Sequence, residues 1–136
     1  MKKGFTLVEI MIVVAIIALL ASIAIPNLLR ARITANESAA QATLRTISVA
    51  IETYASANGG TYPTAETDLT GVTPPYLNKA YNEVTESGYK YVYTTLATTN
   101  YTVTARPTSC TMSGTKSFTV STGGVLSPDA SCTAAS

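Results

Sequence analysis

The chain contains no histidine and no tryptophan, and only 12% of its 136 residues are charged, against about 25% in an ordinary soluble domain. Without histidine there is no Ser/His/Asp or Cys/His arrangement for nucleophilic catalysis. A phosphate-cradling glycine loop is missing as well. Asp68 and Asp129 are the only aspartates, and neither stands in a calcium-loop pattern. The formal net charge is +1, so no basic face for nucleic acid is implied. No enzyme activity, metal or cofactor is therefore expected. There are two cysteines, Cys110 and Cys132, both near the C-terminus. Their spacing fits no zinc pattern, and no histidine could complete one. A disulfide is the simpler reading, and it would place the C-terminal part in an oxidising compartment.

What the chain does have is apolar length at its start. Residues 5–25 form a run of 21 in which Glu9 is the only charge and Thr6 and Ser22 the only other polar groups. That length crosses a bilayer as a helix. A carboxylate held in hydrocarbon costs several kcal/mol unless it finds a partner. Lys2 and Lys3 precede the run. A cleaved secretory signal, ending at Ser22-Ile23-Ala24, would have a shorter, uncharged core. A plain signal anchor has no use for Glu9 or for the Gly4-Phe5 junction.

Gly4-Phe5-Thr6-Leu7-Val8-Glu9 resembles the processing site of type IV pilins and type II secretion pseudopilins, with basic leader, glycine, phenylalanine, glutamate and apolar run in register. The resemblance covers residues 1 to about 55. It implies a leader, residues 1–4, removed by a prepilin peptidase between Gly4 and Phe5, and N-methylation of Phe5. It also implies anchoring in the inner membrane through residues 5–25, with Glu9 as the family's assembly glutamate and Pro26 as the proline that bends the long helix. Cleavage would give Phe5 a cationic amine four residues before Glu9, and residues four apart on a helix share one face. Glu9 would pair with its own terminus or with that of a neighbouring subunit. The second option pins the packing register, because a low-dielectric core penalises an unpaired carboxylate. A glutamate snorkelling to the membrane face would need no partner.

Pro26 has no amide proton, and its ring meets the carbonyl of Ser22, so a kink or a locally melted turn is expected there. Beyond it, Ile33, Ala40, Leu44, Ile47, Ile51 and Tyr54 recur at spacings of three, four or seven and make one apolar stripe. Gln41, Arg45, Ser48 and Glu52 fall on the other side. Asn58-Gly59-Gly60 supplies a C-cap. A helix from Phe5 to Asn58 would be about 80 Å long, against a hydrocarbon core of about 30 Å. The second part, 26–58, is therefore expected to pack on a head formed by residues 59–136. Arg30 and Arg32 read as a solvated basic cluster, or as contacts to headgroups or a neighbouring subunit.

In the head, 61–88 carries turn signals, among them Tyr62-Pro63 and Pro74-Pro75, and reads as a long connecting loop. Tyr89, Tyr91 and Tyr93 then alternate with Lys90, Val92 and Thr94. Thr98-Thr99-Asn100 makes a turn, and Tyr101, Val103 and Ala105 alternate again. Phe118 and Val120 mark a third strand, Gly123-Gly124 a turn, and Val125-Leu126 a short fourth. The expected fold is α+β: a long N-terminal helix packed on an antiparallel sheet of three to four strands. Asn36-Glu-Ser38 and Asn100-Tyr-Thr102 fit a glycosylation acceptor pattern.

Within the resembled family, the major pseudopilins bind calcium in the C-terminal loop and lack a cysteine pair. This sequence has the pair and little aspartate there, which favours a type IV pilin; the resemblance implies that the Cys110–Cys132 loop sets subunit contacts and surface identity, and the plain alternative is a staple and nothing more. The function expected is a structural pilus subunit that forms a helical homo-oligomer with the assembly machinery and minor pilins. Before assembly it would sit in the inner membrane as a single-pass protein, and afterwards in an extracellular filament or the periplasm. The alternatives are a pseudopilin of a secretion or DNA-uptake system and a monomeric membrane-anchored binding module.

Overall fold

The computed structural model describes Met1 and residues 4–135. Lys2 and Lys3, the basic leader residues, lie outside the described residues. The chain divides into two compact units, Met1–Arg32 and Ile33–Ser136. The helix α1, Leu7–Ala57, contributes to both.

In the first unit α1 is helical across Pro26, so the melted turn expected there does not occur. A bend remains what the missing amide predicts. Two side chains fold back on nearby carbonyls: the Ser22 hydroxyl donates to Leu19 O at 2.7 Å and the Asn27 amide to Ile23 O at 3.0 Å. Beyond the cap at its start, this part of α1 presents apolar side chains on every side, as a helix suited to hydrocarbon does.

The second unit is α+β. The apolar stripe is buried as its spacing requires: Ala40, Leu44, Ile47 and Ile51 are fully buried, and Tyr54 packs beside them. Ser48 differs from expectation. It is buried on the same face, and its hydroxyl is compensated by the Tyr101 hydroxyl at 2.9 Å. The helix ends where the glycines predict. Gly59 and Gly60 take φ of +66° and +88°, and the Gly60 amide reaches back to Ala55 O at 2.8 Å, closing the last turn as a Schellman motif does.

The sheet has five antiparallel strands in sequence order: β1 (Thr85–Glu86), β2 (Tyr89–Ala97), β3 (Asn100–Pro107), β4 (Ser117–Ser121) and β5 (Val125–Asp129). The expected three to four become five because β1 has only two residues, too few to show a period. Tyr89, Tyr91, Tyr101, Val103, Ala105, Phe118 and Val120 pack with the helix stripe into one core. The register shifts between Tyr93 and Thr95, a bulge that interrupts the alternation read for β2. Residues 61–88 are more ordered than a plain connecting loop. They contain a helical turn, α2 (Thr67–Thr70), together with β1, and they bury Leu69 and Leu77 in the core. Two carboxylates hold this segment: Asp68 accepts the Thr64 and Ala65 amides at 3.1 Å, and Glu66 accepts those of Tyr81 and Asn82.

Candidate functional site

The first candidate site is the start of the chain. Gly4 and Phe5 lie ahead of the helix, both exposed, and a Cβ added at Gly4 would meet nothing within 4 Å. The bond between them is thus in an open, non-helical segment. Immediately after it, Thr6 and Glu9 cap α1 reciprocally. The Thr6 amide and hydroxyl each donate to Glu9 Oε2 at 2.7 Å, and the Glu9 amide donates to Thr6 Oγ1 at 3.3 Å. This is a capping box. Thr6-x-x-Glu9 ahead of an apolar run is its sequence signature, and that signal gives Glu9 a local partner that neither the subunit-pairing nor the snorkelling reading used. Both bonds fall on Oε2. Oε1 accepts no hydrogen bond among the described residues.

From Leu7 to Leu29 the large apolar side chains are exposed, with Leu7 at 75% and Leu29 at 38%. The helix is long and apolar enough to cross a membrane. Arg30 and Arg32 follow on the exposed surface.

The second unit carries the other predicted pair. Cys110 and Cys132 form a disulfide with Cα atoms 5.7 Å apart. It closes a loop whose first part is tied independently to α1. The Asn36 amide donates to Ser113 O at 3.0 Å, and Glu37 accepts from the Thr115 amide at 2.9 Å and its hydroxyl at 2.7 Å. Tyr89 donates to Lys116 O at 2.8 Å. A side chain at Gly114 would collide with the Tyr89 ring. The same loop continues into the tail, where the Ala135 amide reaches Pro107 O at 2.9 Å.

Glu52 is the residue that sequence reading placed least well. It was expected on the outer side of the helix, but it is half-buried at the edge of the core. Tyr101 Oη donates to it at 2.9 Å, Tyr62 Oη at 3.2 Å and the Gly123 amide at 2.9 Å. Tyr101 Oη also accepts from the Gly124 amide at 3.2 Å. One carboxylate therefore fastens α1 to β3, to the loop after α1 and to the β4–β5 turn. Burial pushes the Tyr101 hydroxyl up to about 12, with the Ser48 hydroxyl opposing and Glu52 adding to the rise. Burial also raises Tyr89 and Tyr93, with Glu37 and Glu66 as the next causes. No periodicity signals such a hub, since Glu52 flanks the stripe only by following Ile51. Among the described residues no cluster of three metal-ligating side chains occurs.

Comparison with known proteins places these features in context. Residues 1–25 match the model of the prokaryotic N-terminal methylation motif. The Type IV wide pilus major component PilA4 of Thermus thermophilus is 60% identical over 42 residues, 31% of this chain and 32% of that protein. The Type IV major pilin protein PilA of Myxococcus xanthus is 44% identical over 53 residues, 39% of this chain and 24% of that protein. The Type II secretion system core protein G of Vibrio cholerae is 34% identical over 88 residues, 65% of this chain and 60% of that protein. The chain thus spans between a quarter and three-fifths of the length of these relatives. The chain is similar to two type IV pilins and to a type II secretion core protein, and residues 1–25 match the prokaryotic N-terminal methylation motif.

Proposed function

We infer that this chain is a structural subunit of a type IV pilus. It is made as a prepilin, cut between Gly4 and Phe5 by a prepilin peptidase, and N-methylated at Phe5. Residues 5–25 hold it in the inner membrane until it polymerises through its helix. The observation that carries this reading is the start of α1: an open Gly4-Phe5 junction, then Glu9 capping the helix through Thr6, then a run of exposed large apolar side chains. Outside a bilayer such a surface needs cover, and copies of the same helix supply it. The methylated Phe5 amine of one subunit meets Glu9 Oε1 of another and fixes the axial offset between them.

A second reading, a pseudopilin, is favoured by one observation: the match to the secretion core protein is longer than the pilin matches, 88 residues against 42 and 53. Against it stand the Cys110–Cys132 disulfide and the scarcity of aspartate in the C-terminal loop.

The test is intact-mass analysis of the mature protein together with electron microscopy of surface filaments. A chain beginning at N-methylated Phe5, recovered as the main subunit of those filaments, is the expected result. Gly4→Val should keep its leader. A mature chain beginning at Met1 or Asn27 overturns the processing. Correct processing without surface filaments selects the pseudopilin.

A further inference from the structure

Two asparagines fit the acceptor pattern Asn-x-Ser/Thr, and the head treats them in opposite ways. A transferase that reads this pattern needs the asparagine amide and the hydroxyl two residues on to be presented together and unengaged. Asn36 fails on each count. It is half-buried, and its amide is committed to Ser113 O at 3.0 Å. It sits on α1, where a step of two residues turns the side chain about 200° away. The Ser38 hydroxyl is itself used, donating to Thr34 O at 3.0 Å.

Asn100 fits the requirement better: its side chain is exposed, and Thr102 is half-buried with its hydroxyl unengaged among the described residues. It is the first residue of β3, exposed at the tip of the β2–β3 hairpin opposite Ala97. Asn100 and Thr102 are two apart on a strand, so they project from the same face of the sheet, while Tyr101 between them is buried in the core. Neither the Asn100 amide nor the Thr102 hydroxyl has a hydrogen-bond partner among the described residues. The disulfide in the same head marks a compartment in which proteins fold under oxidising conditions, outside the cytoplasm, where such a modification of an exported protein takes place.

We propose that Asn100 is a site of N-linked glycosylation and that Asn36 is not. The donor is a polyprenyl-diphosphate-linked oligosaccharide. The Asn100 amide nitrogen forms a bond to the anomeric carbon of the first sugar while the bond from that carbon to the phosphate oxygen breaks. Polyprenyl diphosphate leaves with the electron pair, and the amide proton passes to a base on the transferase. The glycan would project from the hairpin tip, away from the buried helix stripe. The modification requires only that the head be exported, so its test stands apart from filament formation.

The experiment is glycopeptide mass spectrometry with electron-transfer fragmentation, on protein purified from the cells that make it. The expected result is a sugar mass on the peptide containing Asn100 and none on the peptide containing Asn36. Asn100→Gln and Thr102→Val should each remove it completely, whereas Asn36→Gln should leave it in place. Formation of the Cys110–Cys132 disulfide in each variant shows that the head has folded, and Thr102→Ser keeps a hydroxyl where Thr102→Val alters the strand. An unmodified Asn100 overturns the proposal. So does a sugar that survives Asn100→Gln, which would place it on a hydroxyl elsewhere.

Discussion

Replacing Glu52 by alanine removes the acceptor for three donors from three parts of the head, and the expected loss can be worked bond by bond. The Gly123 amide lies in an exposed turn, so water replaces Glu52 there at little cost. Tyr62 Oη sits at 3.2 Å and is only half-buried, so it too rehydrates. Tyr101 is 1% exposed, and its 2.9 Å bond is donated to a carboxylate. Such a bond contributes about 1.5–3 kcal/mol. The Ser48 and Gly124 contacts to Tyr101 remain, which holds the total near 2–3 kcal/mol. For a unit of this size that lowers Tm by about 8–20 °C. Glu52→Gln keeps an acceptor oxygen and loses the charge, so it should cost about 1 kcal/mol. Thermal unfolding of the detergent-solubilised full chain, followed by near-ultraviolet circular dichroism of the core tyrosines, reads both variants. Thr53→Ala, on the exposed side of the next position, is the control. If Glu52→Ala unfolds within about 0.5 kcal/mol of the parent, the range of an ordinary surface substitution, the carboxylate is not the fastener described above.

Two further outcomes follow from the head. Tyr101 titrates near 12 in the folded state, above the ordinary tyrosine value of about 10, so the fold favours the neutral phenol. That stability is complete below pH 10 and is lost as pH rises from 10 through 12; Tyr101→Phe should flatten denaturation midpoints measured across this window, and an unchanged slope contradicts the assignment. Cys110→Ser opens a loop with a sequence separation of 22, worth about 3 kcal/mol on the chain-entropy model. Hydrogen exchange should then rise in the tail after Asp129 but stay low in Ser113–Lys116, which Asn36, Glu37 and Tyr89 hold without the disulfide; equal loss in both segments refutes that division.

The parts of the head legible in the sequence are those governed by one repeating requirement. Ala40, Leu44, Ile47 and Ile51 are readable because a helix lying on a single layer buries one face, and residues three and four apart must then be apolar. Tyr101, Val103 and Ala105 are readable for the matching reason with period two. Ser48 was misplaced because a hydroxyl counts as polar in any such pattern, yet it is buried once Tyr101 supplies its partner. β1 escaped because its two residues pair only with the first two of β2, and the bulge after Tyr93 escaped because it breaks the pattern that would have revealed it. Leu69 and Leu77 reach the core from a segment whose order comes from carboxylates accepting backbone amides, and that has no period.

The cap at Glu9 is the most informative of these cases, since it changes what a substitution there can show. The Thr6 amide survives a cut between Gly4 and Phe5, so the capping box would persist in the mature chain, with Thr6 bonded to Oε2, beside the proposed pairing with a neighbour's Phe5 amine. Glu9→Leu removes both roles at once, and a loss of filaments in that variant alone would not tell them apart. Glu9→Gln does. Glutamine serves a capping box as well as glutamate does, so helix initiation, membrane insertion and leader cleavage should all be retained. It carries no charge to neutralise an incoming amine, which would then be buried unpaired. If the carboxylate sets the register, Glu9→Gln should yield normal amounts of cleaved subunit and few or no filaments, and Glu9→Leu should do the same. Filament counts by electron microscopy, normalised to cleaved subunit, decide between the two roles. Normal filaments from Glu9→Gln with none from Glu9→Leu would reduce Glu9 to a helix cap, and the axial offset between subunits would then have to be set by some other contact.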